Sequence, residues 1–119
     1  MKIFLPYPIP LNRIYRNFRG HMVISPEAQK WKKYAGLQAM AAGVKKISGA
    51  VSITITLHPK SKKNGEASKT RVDLDSCQKL LFDSLNEIAY TDDKQIERIL
   101  AMIGAPCIDG GMTVDIEEM

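Results

Sequence analysis

The chain has 119 residues, of which 45% are hydrophobic and 25% are charged, and its formal net charge is +4. This composition is that of a globular protein and excludes intrinsic disorder, and the length suffices for one domain, residues 1–119, but not for two. No apolar run approaches a membrane span, the proline-rich opening does not suit a signal peptide, and neither cysteine has metal-site or disulfide spacing, so we expect a cytoplasmic protein with reduced thiols.

The first half of the chain is predicted to form two strands and a helix. Residues 2–5 suit a short strand that ends at the prolines after it. A serine, a proline and a glutamate at 25–27 are typical of a helix start, which predicts a helix over 26–42. Over residues 50–58, β-branched or other apolar residues alternate with polar ones, and this period of two predicts a strand with one buried face.

The second half of the chain is predicted to form a helix and two strands. A polar, basic loop over 59–71 leads into a helix over 76–89, whose apolar positions recur at helical spacing. Strands are predicted over 95–106 and 112–117, with a turn at 109–111 between them. The order β, α, β, α, β, β predicts a small α+β domain in which a mixed sheet packs against two main helices.

The charges are distributed unevenly along the chain. Residues 1–72 contain 14 of the 17 Lys and Arg residues and only two acids, a net charge of +12, whereas residues 73–119 have a net charge of −8. Such asymmetry indicates a polyanionic partner for the first part. The alternative is that the two charged sets are solvated faces of opposite sign.

Two basic segments contain the candidate DNA contacts. These are Arg13, Arg16, Arg19, Lys62, Lys63, Lys69 and Arg71. In the first segment, the arginines suit phosphate contacts, and the interleaved Tyr15 and Phe18 suit stacking on bases. The alternatives are that these aromatic rings pack into the core and that the second segment is a solvated loop.

Asp73 and Asp75 stand one residue apart, immediately before the second predicted helix. On an extended segment, side chains two residues apart point to the same face, about 6.6 Å apart along the chain, so both carboxylates can aim at one point. Lys79 lies one helical turn after Asp75 and can reach the same point. Asp92 and Asp93 follow the other end of the helix, where the chain can bring one of them back beside the pair.

Carboxylate oxygens are the ligands that Mg²⁺ prefers in proteins. Three carboxylates and a lysine suffice for metal-assisted phosphodiester hydrolysis, in which the metal activates a water and the lysine stabilises developing charge. The simpler alternatives are that Asp75 or Ser76 only caps the helix, that Lys79 and Asp83 form an ordinary surface ion pair, and that the two later aspartates form a turn.

The run VDLDSCQKLLFDSL, followed by YTDD, resembles the core of RusA-type Holliday junction resolvases, the crossover junction endodeoxyribonucleases of bacteria and their prophages. The NRIYR segment, the basic loop and the final strand from Gly110 onward extend the resemblance over nearly the whole chain. Ser76 is a departure, because the family usually has asparagine at this position. Both residues cap helices well.

The resemblance implies a homodimeric endonuclease that depends on Mg²⁺, with Mn²⁺ as a substitute. It would cut two opposed strands of a four-way DNA junction symmetrically, during recombination and repair, and a two-fold dimer suits two symmetry-related strands. The family's essential acids correspond to Asp73, Asp75 and, by register, Asp93, with Asp92 in reserve. These acids would be the metal ligands, and the family's essential lysine corresponds to Lys79.

The alternative from a different class is a non-catalytic DNA- or RNA-binding module. In that case the acids only cap and solubilise the second helix, there is no metal dependence, and replacing Asp75 has little effect on binding. Other enzymes with two aspartates in this spacing fit less well, because phosphatases of the haloacid dehalogenase type place the motif after an apolar strand, whereas SKTRV precedes Asp73 here.

Overall fold

A four-stranded mixed sheet, two α-helices and a separate hairpin make up the fold. The computed structural model describes all 119 residues. In chain order the elements are β1 (Lys2–Leu5), β2 (Tyr15–Phe18), β3 (His21–Ile24), α1 (Pro26–Ala41), β4 (Val51–His58), α2 (Gln78–Ser84), β5 (Ile96–Ile103) and β6 (Gly111–Glu118). Short 3₁₀ turns lie at Leu11–Arg13, Leu74–Cys77 and Asp93–Gln95. The prediction of an α+β fold with a mixed sheet is confirmed.

The main sheet has the strand order β1-β6-β4-β5. Central β4 pairs antiparallel with β6 and parallel with β5, and β1 pairs antiparallel with β6. The parallel pair requires the crossover that contains α2. This crossover also contains both aspartates of the 73–75 pair.

The alternation along β4 decides which face of the sheet is buried. Its apolar side chains are fully buried, and the polar ones between them are half-buried. Opposite them on β6, Ile116 faces Ile53 and Val114 faces Ile55. Trp31 of α1 belongs to the same cluster of 23 buried residues. Each fully buried aliphatic or aromatic side chain of this kind contributes about 1.5–3 kcal/mol, so one core holds the sheet and both helices together.

The prediction of a helix over 76–89 is wrong at both ends. A 3₁₀ turn begins at Leu74, and α2 ends at Ser84. The hydroxyl of buried Tyr90 donates to the carbonyl of Phe82 at 2.8 Å, and Glu87 adopts a positive φ of 70°, so the chain turns away from the helix axis. The helical spacing of later apolar residues reflects burial in the core rather than continuation of the helix.

The hairpin of β2 and β3 has no counterpart among the predicted elements. Its two-residue turn, Arg19 and Gly20, has positive φ at both positions, 51° and 81°, which matches the twist of paired strands. Tyr15 and Phe18 are 38% and 49% exposed, so the alternative that they pack into the core is wrong.

The remaining predicted boundaries agree with the structure to within about a residue, except at the end of β5. This strand stops at Ile103 rather than at residue 106. The predicted helix start is confirmed, because the Ser25 hydroxyl accepts the Ala28 N–H at 3.1 Å and Pro26 is the first helical residue. Neither helix could serve as a membrane span.

Candidate active site

Asp73 and Asp75 line one surface cleft of about 780 Å³, which we call the aspartate cleft. Its lining residues are Tyr7, Pro10, Leu11, Asn12, Arg13, Lys60, Thr70, Arg71, Val72, Asp73, Asp75 and Ser76. Both carboxylate residues are exposed. The two aspartates therefore share one cleft, although Asp75 lies in a 3₁₀ turn and not on the extended segment that was expected.

Local backbone geometry places the two aspartates. Asp73 is extended, with φ −72° and ψ 151°, and its carbonyl accepts the Ser76 N–H at 3.0 Å as the 3₁₀ turn begins. The alternative that Asp75 or Ser76 caps the helix is wrong, because Cys77 occupies the cap position of α2. Asp73 occupies the cap position of the preceding 3₁₀ turn, and its side chain makes no capping hydrogen bond. None of the chain's ion pairs includes either aspartate. Both carboxylates are therefore uncommitted.

Three basic side chains from distant parts of the sequence line the same cleft. Arg13 comes from the first basic segment and pairs with Glu27. Arg71 donates to the Val72 carbonyl at 3.2 Å, and the ammonium of Lys60 lies 5.1 Å from the centre of the Tyr7 ring. Cations beside uncommitted carboxylates suit a substrate that carries phosphates and a bound metal ion.

The other predicted DNA contacts lie outside the lining of the aspartate cleft. Arg16 and Arg19 flank the ring of Phe18 on the hairpin, at 5.8 and 5.2 Å from its centre. Lys62, Lys63 and Lys69 are exposed on the basic loop. The structure therefore separates the predicted basic residues into members of the cleft and members of surrounding surfaces.

Lys79 lies with acidic partners and not in the lining of the aspartate cleft. Its ammonium is 3.3 Å from the carboxylate of Asp83, so the ion pair that was the simpler alternative does form. This hydrogen bond is the main cause that raises the pKa of Lys79, and the negative charge of Asp93 raises it further. We call Lys79, Asp83 and Asp93 the Lys79 cluster.

Asp92 and Asp93 have different roles in the backbone. The Asp92 carboxylate accepts the Lys94 N–H at 2.8 Å, and the Gln95 side chain accepts the Asp92 N–H at 3.2 Å, so Asp92 caps a 3₁₀ turn. The hydrogen bond from Lys94 lowers the pKa of Asp92, whereas a hydrogen bond with Asp92 raises the pKa of Asp93. Asp93 makes no such cap.

The positions of the carboxylates decide whether a metal ion fits the site. No three His, Cys, Asp or Glu side chains lie close enough together to hold a metal ion. Asp73 and Asp75 nevertheless fit Mg²⁺, because they are exposed oxygen donors in one cleft, and Mg²⁺ is often bound through one or two carboxylates together with water and substrate phosphate. Asp93 as a third ligand stays a prediction.

Three residues of the region were not among the predicted site residues. Lys60 belongs to the basic loop, and its spacing gave no reason to prefer it over its neighbours. Asp83 was recognisable only as a partner of Lys79 at helical spacing. Tyr7, between two prolines, carried no sequence signal, because its contacts are with residues far along the chain.

Comparison with known proteins identifies the family. Residues 6–117 match the family model described as Endodeoxyribonuclease RusA. No curated protein matches the chain in a sequence search. Since the family match spans nearly the whole chain, the protein belongs to the RusA endodeoxyribonuclease family. Its class is thus that of endonucleases that resolve Holliday junctions, and the resemblance drawn from the sequence is confirmed.

Proposed function

We propose that this protein cuts four-way DNA junctions by paired symmetric nicks in a Mg²⁺-dependent reaction, with Mn²⁺ as a substitute. One observation carries the proposal: two carboxylates without partners share a cleft with three basic side chains. A helix cap would engage an aspartate oxygen, and a solubilising acid would not need cations around it. This arrangement favours an enzyme over a non-catalytic binding module.

In the proposed reaction, Asp73 and Asp75 would hold the cation, and Asp93, which lies outside the lining of the aspartate cleft, would be its third ligand. When bound, Mg²⁺ neutralises charge on the scissile phosphate and acidifies a water. Arg13, Lys60 and Arg71 orient the phosphodiester, since their charges face the same cleft.

Lys79 contributes a positive charge that stabilises the transition state, and Asp83 restricts where its ammonium can lie. This role differs from that of the cleft cations because Lys79 lies outside the lining of the aspartate cleft. We therefore expect Lys79 to act as a fixed positive charge and not as a mobile phosphate contact.

The basic surfaces outside the cleft are proposed to bind the junction arms. Arg16 and Arg19 on the hairpin present cations around an exposed phenylalanine ring, a combination that suits phosphates and unstacked bases. Lys62, Lys63 and Lys69 lie on the loop that leads into the aspartate cleft, so DNA bound there would extend toward the reacting phosphate.

A homodimer is proposed because paired nicks require two sites. A four-way junction offers two symmetry-related strands, and a two-fold dimer presents one site to each of them. Residues 1–119 are proposed to form one endonuclease domain per protomer, since one core joins all main elements. A cytoplasmic enzyme, encoded by a bacterium or a prophage, would have access to such junctions.

The test is incubation of the purified protein with a synthetic four-way junction in Mg²⁺, in Mn²⁺ and in chelator. The proposal predicts paired nicks at symmetric positions with either cation and none with chelator. Asp75→Asn should bind the junction and fail to cut it. Glu97→Gln, an exposed acid on β5, is the matched control and should cut normally. Metal-independent cutting, or full activity of Asp75→Asn, would contradict the proposal.

A further inference from the structure

Tyr7 makes the hydrogen bond that fixes the chain immediately before the aspartate pair. Its hydroxyl oxygen accepts the N–H of Val72 at 2.9 Å. Val72 is buried and directly precedes Asp73. The loop before it is polar and largely irregular, and the 3₁₀ turn starts only at Leu74. The contact with Tyr7 therefore anchors the backbone between a loop and the first metal-ligand candidate.

Tyr7 is itself held in place from three sides. Its carbonyl accepts the indole N–H of Trp31 at 2.9 Å, which ties it to α1. Gly110 packs so closely on the ring that a Cβ there would lie 2.4 Å from the ring's Cδ1 atom. Lys60 places its ammonium over the ring. Because Tyr7 is held in place, its hydroxyl can fix the position of the Val72 backbone to which it is hydrogen-bonded.

We propose that Tyr7 is a positioning residue of the aspartate cleft, whose hydroxyl sets the orientation of Asp73 through Val72 and whose ring sets the position of Lys60. This inference rests on the proposed function, because it assumes that Asp73 binds the cation. The proposed role is more than structural, because the hydrogen bond between Tyr7 and Val72 holds the segment that carries Asp73.

Tyr7→Phe separates the two contributions of the residue. It keeps the ring, the Trp31 hydrogen bond to the backbone and the contact with Lys60, and removes only the acceptor for Val72. The matched control is Tyr34→Phe, because Tyr34 is 50% exposed on α1 and lies away from the aspartate cleft.

Mn²⁺ affinity of the full chain, measured by electron paramagnetic resonance without DNA, is the first readout. Loss of a residue that orients a metal ligand typically weakens affinity about 10–100-fold, so Tyr7→Phe should bind Mn²⁺ roughly 10-fold more weakly. The Mg²⁺ concentration for half-maximal junction cleavage should rise by a similar factor, and Tyr34→Phe should match the wild type in both. Wild-type Mn²⁺ affinity in folded Tyr7→Phe would overturn the inference.

Hydrogen exchange of the Val72 amide in the wild-type protein provides a readout that needs no variant. The inference predicts slow exchange at Val72, and unprotected exchange there would overturn it. If the wild type shows no Mn²⁺ binding that depends on Asp75, the proposed metal site fails separately. The positioning role is then decided by whether Tyr7→Phe, and not Tyr34→Phe, shifts the amide resonance of Asp73.

Discussion

The aspartate cleft and the Lys79 cluster contain the same residue types but use them differently. In the cleft, Asp73 and Asp75 have no ion-pair partner. Of the cations that line it, only Arg13 has an acidic partner, Glu27. In the cluster, Asp83 is already paired with Lys79. Uncommitted carboxylates suit ligand binding, whereas a paired carboxylate suits the placement of another side chain. The difference separates carboxylates that are available to bind a cation from a carboxylate that positions another side chain.

The largest effect is expected when the cleft loses a carboxylate. Asp73→Asn or Asp75→Asn should reduce the rate of junction cleavage on the order of 10²-fold or more, because the cation loses a charged ligand. Junction affinity should change little, as measured by gel mobility shift in chelator. Equal cleavage rates in Asp83→Asn and Asp73→Asn would remove the distinction between the two regions.

Separate substitutions of Asp92 and Asp93 should show that only one of the two residues takes part in the reaction. Asp93→Asn should lower the cleavage rate substantially with little change in Tm. Asp92→Ala should lower Tm, since the Lys94 N–H loses its side-chain acceptor, while leaving most of the activity. Cleavage rates and thermal unfolding of both variants test this, and the reverse pattern would assign the third ligand to Asp92.

A smaller, non-additive effect is expected within the Lys79 cluster. Lys79→Ala should lower the cleavage rate, and Asp83→Asn should lower it less. In the Lys79→Ala background, Asp83→Asn should add almost nothing, because Asp83 acts through the lysine. Glu87→Gln, which breaks the remote Lys46 ion pair, is the control for loss of a surface pair. Additive losses in the double variant would give Asp83 an independent role.

The basic loop should affect binding more than chemistry. Replacing both Lys62 and Lys63 with glutamine should weaken junction binding and reduce the slope of log affinity against log salt concentration by about 0.9 for each lost phosphate contact. The cleavage rate at saturating protein should remain close to the wild-type rate. A lower saturated rate with an unchanged salt slope would instead assign the loop to the active site.

The smallest effect concerns the thiol beside the cleft. Burial, followed by the nearby Asp75 charge, raises the pKa of Cys77 to about 11. The reactive thiolate is therefore scarce at pH 8, and alkylation of folded protein should occur at half-buried Cys107 first. Peptide mapping after brief treatment with iodoacetamide measures this, and preferential modification of Cys77 would contradict the described packing.

Features that depend on local sequence were predictable. The alternation along β4 predicted both the strand and its buried face, because a period of two is a property of neighbouring residues. The same holds for the Ser25 cap and for the proximity of Asp73 and Asp75. These features require no knowledge of how distant segments meet.

Features that depend on contacts between distant residues were not predictable. The end of α2 is set by a hydroxyl from Tyr90, and the anchor of the aspartate pair comes from Tyr7, 65 residues before Val72. Lys60 enters the cleft for the same reason. No periodicity or short motif encodes such contacts, so the sequence could indicate the candidate carboxylates but not the residues that hold them in place.

Anomalous diffraction from crystals of the protein grown with Mn²⁺ decides whether the aspartate cleft binds a metal ion, because it locates the cation without relying on activity. We expect a peak in the aspartate cleft, coordinated by Asp73 and Asp75, that disappears in Asp75→Asn crystals. A peak that lies elsewhere, or one that persists at the same strength without the Asp75 carboxylate, would contradict it.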